Sequence, residues 1–161
     1  MSLWQELGYS RPFKQPVEET MLNIVHTGSL LVKEGYRVLR PFGLTDAQFN
    51  VLMLLRYNSV DGRINQTSLG RMMLVNRSNV TGLVDRMEKA GLVRRVPDPQ
   101  DRRVNCVELT AAGLEAVSEA HAAYFDRLSH IMSTLSAAER EKLIVMLEKV
   151  RSRLKEGGEK G

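Results

Sequence analysis

The sequence predicts a mainly α-helical α+β fold in a single 161-residue domain, on three observations. Most segments carry apolar residues at helical spacing. Only two short runs, 92–96 and 103–109, alternate apolar and polar residues as strands do. The composition, 43% apolar and 26% charged, is that of an ordinary globular chain. No segment approaches about 18 uncharged apolar residues, and "MSLWQELGYSRPFKQP" lacks the apolar core of a secretory signal. A cytoplasmic protein with no membrane partner is therefore expected.

Taken in order, Pro16 suits the first turn of a helix. Val17, Met21, Ile24 and Leu31 then form one apolar stripe, and Leu22, Val25, Val32 and Tyr36 a second, so the helix over 16–40 should be buried on two sides. "RPFG" at 40–43 ends it, because Pro41 disfavours helix at Arg40 and Gly43 permits a turn. Thr45-x-x-Gln48 is a capping box opening a second helix that carries Phe49, Leu52, Met53 and Leu55. "NSVDGR" breaks that helix. Asn65 is an N-cap for a short helix to about Met73, and Asn76 caps another that runs to Ala90 with Gly91 as its stop.

Two short helices joined by a tight turn are a helix-turn-helix, and the strands 92–96 and 103–109 attach a hairpin directly to it. A helix from Thr110 follows, with Leu114, Val117, Tyr124, Leu128 and Ile131 apolar. Ser136-x-x-Glu139 is a second capping box, opening a last helix with Leu143, Met146, Leu147, Val150 and Leu154. The tail "KEGGEKG" should be disordered.

Charge is unevenly distributed. Of 23 basic and 19 acidic residues, the block 60–103 holds nine and five, leaving fourteen of each sign elsewhere. The whole excess of +4 thus lies in the helix-turn-helix and hairpin, as expected of a part that faces a polyanion. On the helix over 77–90, Val80, Leu83, Val84 and Met87 share one face. The other holds Ser78, Thr81, Gly82 and Asp85, flanked by Asn79 and Arg86. That face is polar and sterically small, which suits base edges in a major groove. Asn76 and Arg77 at the helix start suit phosphate. Gly82 costs roughly 1 kcal/mol relative to Ala, which either close approach to DNA or simple tolerance at an exposed site would explain. In the hairpin, Arg95, Arg102 and Arg103 can reach the minor groove, and Asp101, two residues before Arg103, can hold its guanidinium in a fixed fork. Pro97 and Pro99 stiffen the loop.

The run "LTDAQFNVLMLL…SLGRMMLVNRSNVTGLVDRMEKAGLVRRVPDPQDRRVNCVELTAAG" resembles the MarR family of winged helix-turn-helix transcriptional regulators. The resemblance covers residues 44–113, and its most specific pieces are "VTGLVDRMEKAGLVRR" and the "DPQDRR…LT" wing with Asp101 and Arg103. It implies a winged helix-turn-helix over 44–110 and dimerisation helices over 16–40 and 111–155. It also implies a homodimer that sets a recognition helix in the major groove and a wing in the minor groove of a pseudo-palindromic operator in double-stranded DNA. The two-sided apolar helix over 17–39 calls for a partner independently.

The resemblance further implies repression relieved by a small aromatic or anionic effector. His26, Ser29, Leu30 and Met53 are the candidate lining of its cleft, with His26 able to meet a carboxylate or phenolate. At Gly70 and Leu74 the chain departs from the Ala and Gly usual in the family, which should loosen the helix at Gly70. Cys106 cannot form an internal disulfide and reads as a small strand residue. His121 and His130 lie nine apart, so neither a metal nor a cofactor is expected. No nucleophile–base pair or cluster of acids suggests an enzyme. The rival reading is a winged-helix protein-interaction module.

Overall fold

In the computed structural model, which describes residues 1–59, 61–73, 80–98, 101 and 103–158, several helices begin where the sequence supplies a cap. Helix α1 is a single turn, Leu3–Glu6, closed by a Ser2–Gln5 capping box. Helix α2 (Pro16–Leu39) starts on its proline and passes into a 3-10 turn at Arg40–Phe42. Gly43, at φ +65°, then releases the chain into α3 (Asp46–Tyr57). There the Gln48 amide N–H donates to Thr45 Oγ1 at 3.3 Å, while Gln48 Oε1 accepts from the Thr45 amide at 2.9 Å.

Asp61 (φ +53°) and Gly62 (φ +78°), two successive left-handed residues, turn the chain into a short strand, β1 (Arg63–Asn65). Asn65 then caps α4 (Gln66–Met72), its Oδ1 accepting from the Ser68 amide at 2.8 Å. Helix α5 is described over Val80–Lys89. It ends in a Schellman motif on Gly91 (φ +73°): the Leu92 and Gly91 amides donate to Met87 O and Glu88 O, both at 2.9 Å. The hairpin of β2 (Val93–Pro97) and β3 (Asn105–Leu109) follows.

β3 lies between β1 and β2, antiparallel to both, with Arg63 and Arg94 each opposite Glu108. Thr110 launches α6 (Ala111–Met132), its Oγ1 accepting from the Gly113 amide at 3.0 Å and donating to Gly91 O at 2.6 Å. The Ser136–Glu139 box opens α7 (Ala137–Gly158).

By its contacts the chain forms two compact units, Met1–His121 and Ala122–Gly161, and the boundary falls within α6. The core of the first unit includes Leu52, Leu55, Leu69, Val84, Met87 and Val107, all at 2% exposure or less. Close packing extends to the glycines. A Cβ on Gly113 would collide with the Leu92 carbonyl oxygen, so α6 can pass over that carbonyl only with glycine there. A Cβ on Gly70 would stand 3.3 Å from Val80 Cγ2. Gly70, expected only to loosen its helix, lets α4 approach α5.

Three elements differ from expectation. β1, which starts at the last residue of the breaker "NSVDGR", was not expected, because three residues are too few to show alternation. α1 is a single capped turn, too short for periodicity to reveal. The tail expected to be disordered from Lys155 is helical to Gly158, with an Arg153–Glu156 pair at 3.0 Å supporting its last turns.

Candidate nucleic-acid interface

Helix α5 separates its faces as its pattern requires. Leu83, Val84 and Met87 are buried, while Thr81, Asp85 and Arg86 are exposed and Gly82 is half-buried. The expected contact residues Asn76, Arg77, Ser78 and Asn79 lie outside the described residues, as does Arg102.

The adjacent arginines of β2 part company, because alternate strand residues point to opposite faces. Arg94, exposed, pairs with Glu108, which also accepts from Arg63 Nε at 3.0 Å. One carboxylate thereby ties together all three strands. Arg95 turns the other way, onto α5. Its backbone N–H donates to Glu88 Oε1 at 2.8 Å, its Nη1 to Glu88 Oε2 at 2.5 Å and its Nη2 to Asp85 Oδ1 at 2.5 Å. The Arg95 backbone and side-chain donors hold the Glu88 carboxyl below the usual carboxylate range. Burial works against the Arg95 charge, but the hydrogen bonds to Asp85 and Glu88 outweigh it and raise the guanidinium pKa.

Gln66, the first residue of α4, completes this connection. Its Oε1 faces Arg95 Nε at 3.5 Å, and its Nε2 donates to Thr81 Oγ1 at 2.8 Å. The sequence reading did not single out Gln66, Glu88 or Glu108. Glu88 and Glu108 could have been found by placing the arginine pair on opposite strand faces and asking which acids each would meet. Gln66 carried no such signal.

At the wing tip, Arg103 Nε and Nη2 donate to Asp101 Oδ1 and Oδ2 at 3.0 and 3.1 Å, and the Arg103 amide also donates to Oδ1 at 3.0 Å. These bonds depress the Asp101 pKa and raise that of Arg103. The arginine is nonetheless 91% exposed, so it is oriented without being withdrawn from solvent. The Val104 amide donates to Asp101 O at 2.9 Å, closing the turn beneath it. Cys106 is buried, and its thiol donates to Asp98 Oδ2 at 3.3 Å. Burial and then the Asp98 carboxylate push the thiol pKa up, opposing thiolate chemistry.

Thr81 of the helix and Arg103 of the wing line one open groove of about 510 Å³, together with Gln66, Thr67, Gly70 and Asn105. A second groove, of about 530 Å³, lies between the end of α3 and the start of α6, and includes Arg56, Asp61 and Glu108. The expected effector residues line neither. His26 is half-buried, 3.8 Å from Glu6 Oε2. The Ser29 hydroxyl donates to His26 O at 2.8 Å, Leu30 is exposed and Met53 is half-buried. Among the described residues no helix is long and apolar enough to cross a membrane, and no cluster of three His, Cys, Asp or Glu could hold a metal.

Comparison with known proteins adds to this geometry. A sequence model described as the MarR family matches residues 44–104. The transcriptional repressor YetL of Bacillus subtilis is 30% identical over 70% of this chain and 66% of its own. The transcriptional activatory protein BadR of Rhodopseudomonas palustris is 40% identical over 53% of this chain and 49% of its own. The chain therefore spans about half to two thirds of the length of these two relatives. Among solved structures, AbsC, a MarR family regulator of Streptomyces coelicolor, superposes with a TM-score of 0.81 at 24% identity, over 91% of this chain and 99% of that one. A mutant of MarR from E. coli, complexed with operator DNA, does so with a TM-score of 0.67 at 26% identity, over 84% and 99%. These relatives are regulators of transcription rather than enzymes.

Proposed function

Since this chain belongs to the MarR family of transcriptional regulators, we propose that it binds duplex DNA as a homodimer, with α5 in the major groove and the β2–β3 wing at the adjacent minor groove. The observation that carries this reading is the shared groove. Thr81, on the exposed face of α5, and Arg103, held outward by Asp101, open onto one surface. A helix and a cationic loop so arranged can meet base edges and phosphates of neighbouring grooves together. Arg86 is exposed on the same helix and its guanidinium makes no hydrogen bond or ion pair among the described residues, leaving it available to phosphate. In this reading Arg95 and Asp85 hold the wing to α5 instead of contacting DNA themselves.

Exposed apolar rows support pairing of two copies. On α2, Val17, Met21, Val25, Val32 and Tyr36 are each more than half exposed, and on α7 so are Ile144 and Leu154. Rows of this extent on a lone chain mark a surface that is covered in the functional state. Repression of the bound promoter, relieved by a small aromatic or anionic ligand near His26, completes the proposal. His26 and the exposed Leu30 supply a polar imidazole and an apolar contact for such a molecule.

The test is binding of the full chain to duplex DNA across a salt series. Several phosphate contacts per subunit make log affinity fall steeply and linearly with log salt. A flat dependence, with capture of a protein partner instead, would establish the interaction-module reading.

A further inference from the structure

Thr81 presents a hydroxyl to the open groove, and a hydroxyl can either give or take a hydrogen bond. A neighbouring side chain on the same groove decides which. The amide of Gln66 lies between Arg95 and Thr81, and its two ends are chemically distinct. Arg95 Nε carries only a donor, so the Gln66 end facing it, at 3.5 Å, must be the carbonyl Oε1. The opposite choice would set an N–H against a guanidinium N–H. With Oε1 committed, Nε2 faces Thr81 Oγ1 and donates to it at 2.8 Å.

Thr81 Oγ1 is therefore the acceptor in that bond, and its proton must point elsewhere. Among the described residues the hydroxyl makes no other hydrogen bond, and its remaining directions include the groove. Arg95 is itself immobilised by Glu88 and Asp85, so the polarity of the chain Arg95–Gln66–Thr81 is set from the wing strand.

We propose that Gln66 is a specificity-determining positioning residue, which orients the Thr81 hydroxyl as a hydrogen-bond donor toward the DNA base edge. The inference rests on the reading of α5 as the recognition helix. A donor favours guanine or thymine, whose major-groove edges carry acceptors and no donor. An acceptor favours cytosine or adenine, which present an amino group.

The polarity can be reversed without removing Thr81. In Gln66→Glu the carboxylate accepts from both neighbours, so the Thr81 hydroxyl donates to it and leaves lone pairs facing the groove. In Gln66→Ala the hydroxyl is free to rotate.

Selection from a randomised duplex library, followed by sequencing, tests this for the wild-type chain, Gln66→Glu, Gln66→Ala and Thr81→Val. Thr81→Val identifies the position that Thr81 reads, as the one position per half-site whose preference it abolishes. There the wild type is expected to favour guanine or thymine by roughly fivefold, the discrimination given by one neutral hydrogen bond. Gln66→Glu should shift that position to cytosine or adenine, and Gln66→Ala should level it, with the rest of the motif retained. Wild-type preference at that position in both Gln66 variants overturns the proposal, as does a Thr81→Val motif identical to wild type. If the wild type enriches no motif at all, the recognition-helix reading itself has failed and this inference falls with it. Thermal melting of each variant keeps a folding defect distinct from altered readout.

Discussion

Arg95 clasps Glu88 twice, through its backbone N–H at 2.8 Å and through its guanidinium at 2.5 Å, fastening the first wing strand to the last turns of α5. Arg95→Ala would remove the cation and leave Asp85 and Glu88 as uncompensated neighbours. Both acids are more than a third exposed, so water screens them. A loss of about 1 kcal/mol in denaturant unfolding is expected.

The same clasp has a pH signature. The carboxyl of Glu88 lies below its ordinary 4.5 when folded. Its contribution is therefore present above that unfolded value and is lost as pH falls through the lower folded one. Melting temperatures of wild type and Glu88→Gln should differ near neutrality and converge in acid. A constant difference through the acid range would contradict the assignment.

Arg103 should behave in the opposite sense. It is 91% exposed, so Arg103→Ala is expected to leave the melting temperature unchanged. Operator affinity should weaken several-fold, and the salt slope should fall by about one unit. Unchanged affinity at physiological salt would remove the wing from the interface.

Gly113 tests packing alone. In Gly113→Ala the new methyl meets a backbone carbonyl, at Leu92, which cannot swing aside as a side chain can. Destabilisation of about 1–3 kcal/mol is expected. The same change at Gly70, where the neighbour is the Val80 methyl, should cost less because that side chain can shift.

Cys106 should resist alkylation at neutral pH in the native state and react once unfolded, since burial and Asp98 both disfavour its thiolate. Rapid native labelling would show that the second wing strand opens locally.

Signals confined to a few consecutive residues were legible before the structure. The caps at Thr45, Asn65 and Ser136, the stop at Gly91 and the fork between Asp101 and Arg103 each depend on atoms two to four residues apart, and each has the geometry its spacing implies. What escaped was settled by chain segments far apart. Arg94 and Arg95 look alike in the sequence, yet strand alternation sends one to Glu108, 14 residues on, and the other back to Glu88 and Asp85. Gln66 meets Arg95 across 29 residues, and nothing local marks it. β1 exists because β3 offers it a pairing edge, and three residues cannot announce that by themselves.

Asn65 holds two posts at once, as the last residue of β1 and the cap of α4. Because β1 is stitched to the central wing strand at Arg63, Ile64 and Asn65, a load that lifts the hairpin pulls on the peg that keeps the first turn of α4 wound. Wing displacement and fraying of that turn are thus mechanically geared, and strain imposed at the loop tip arrives beside Gln66.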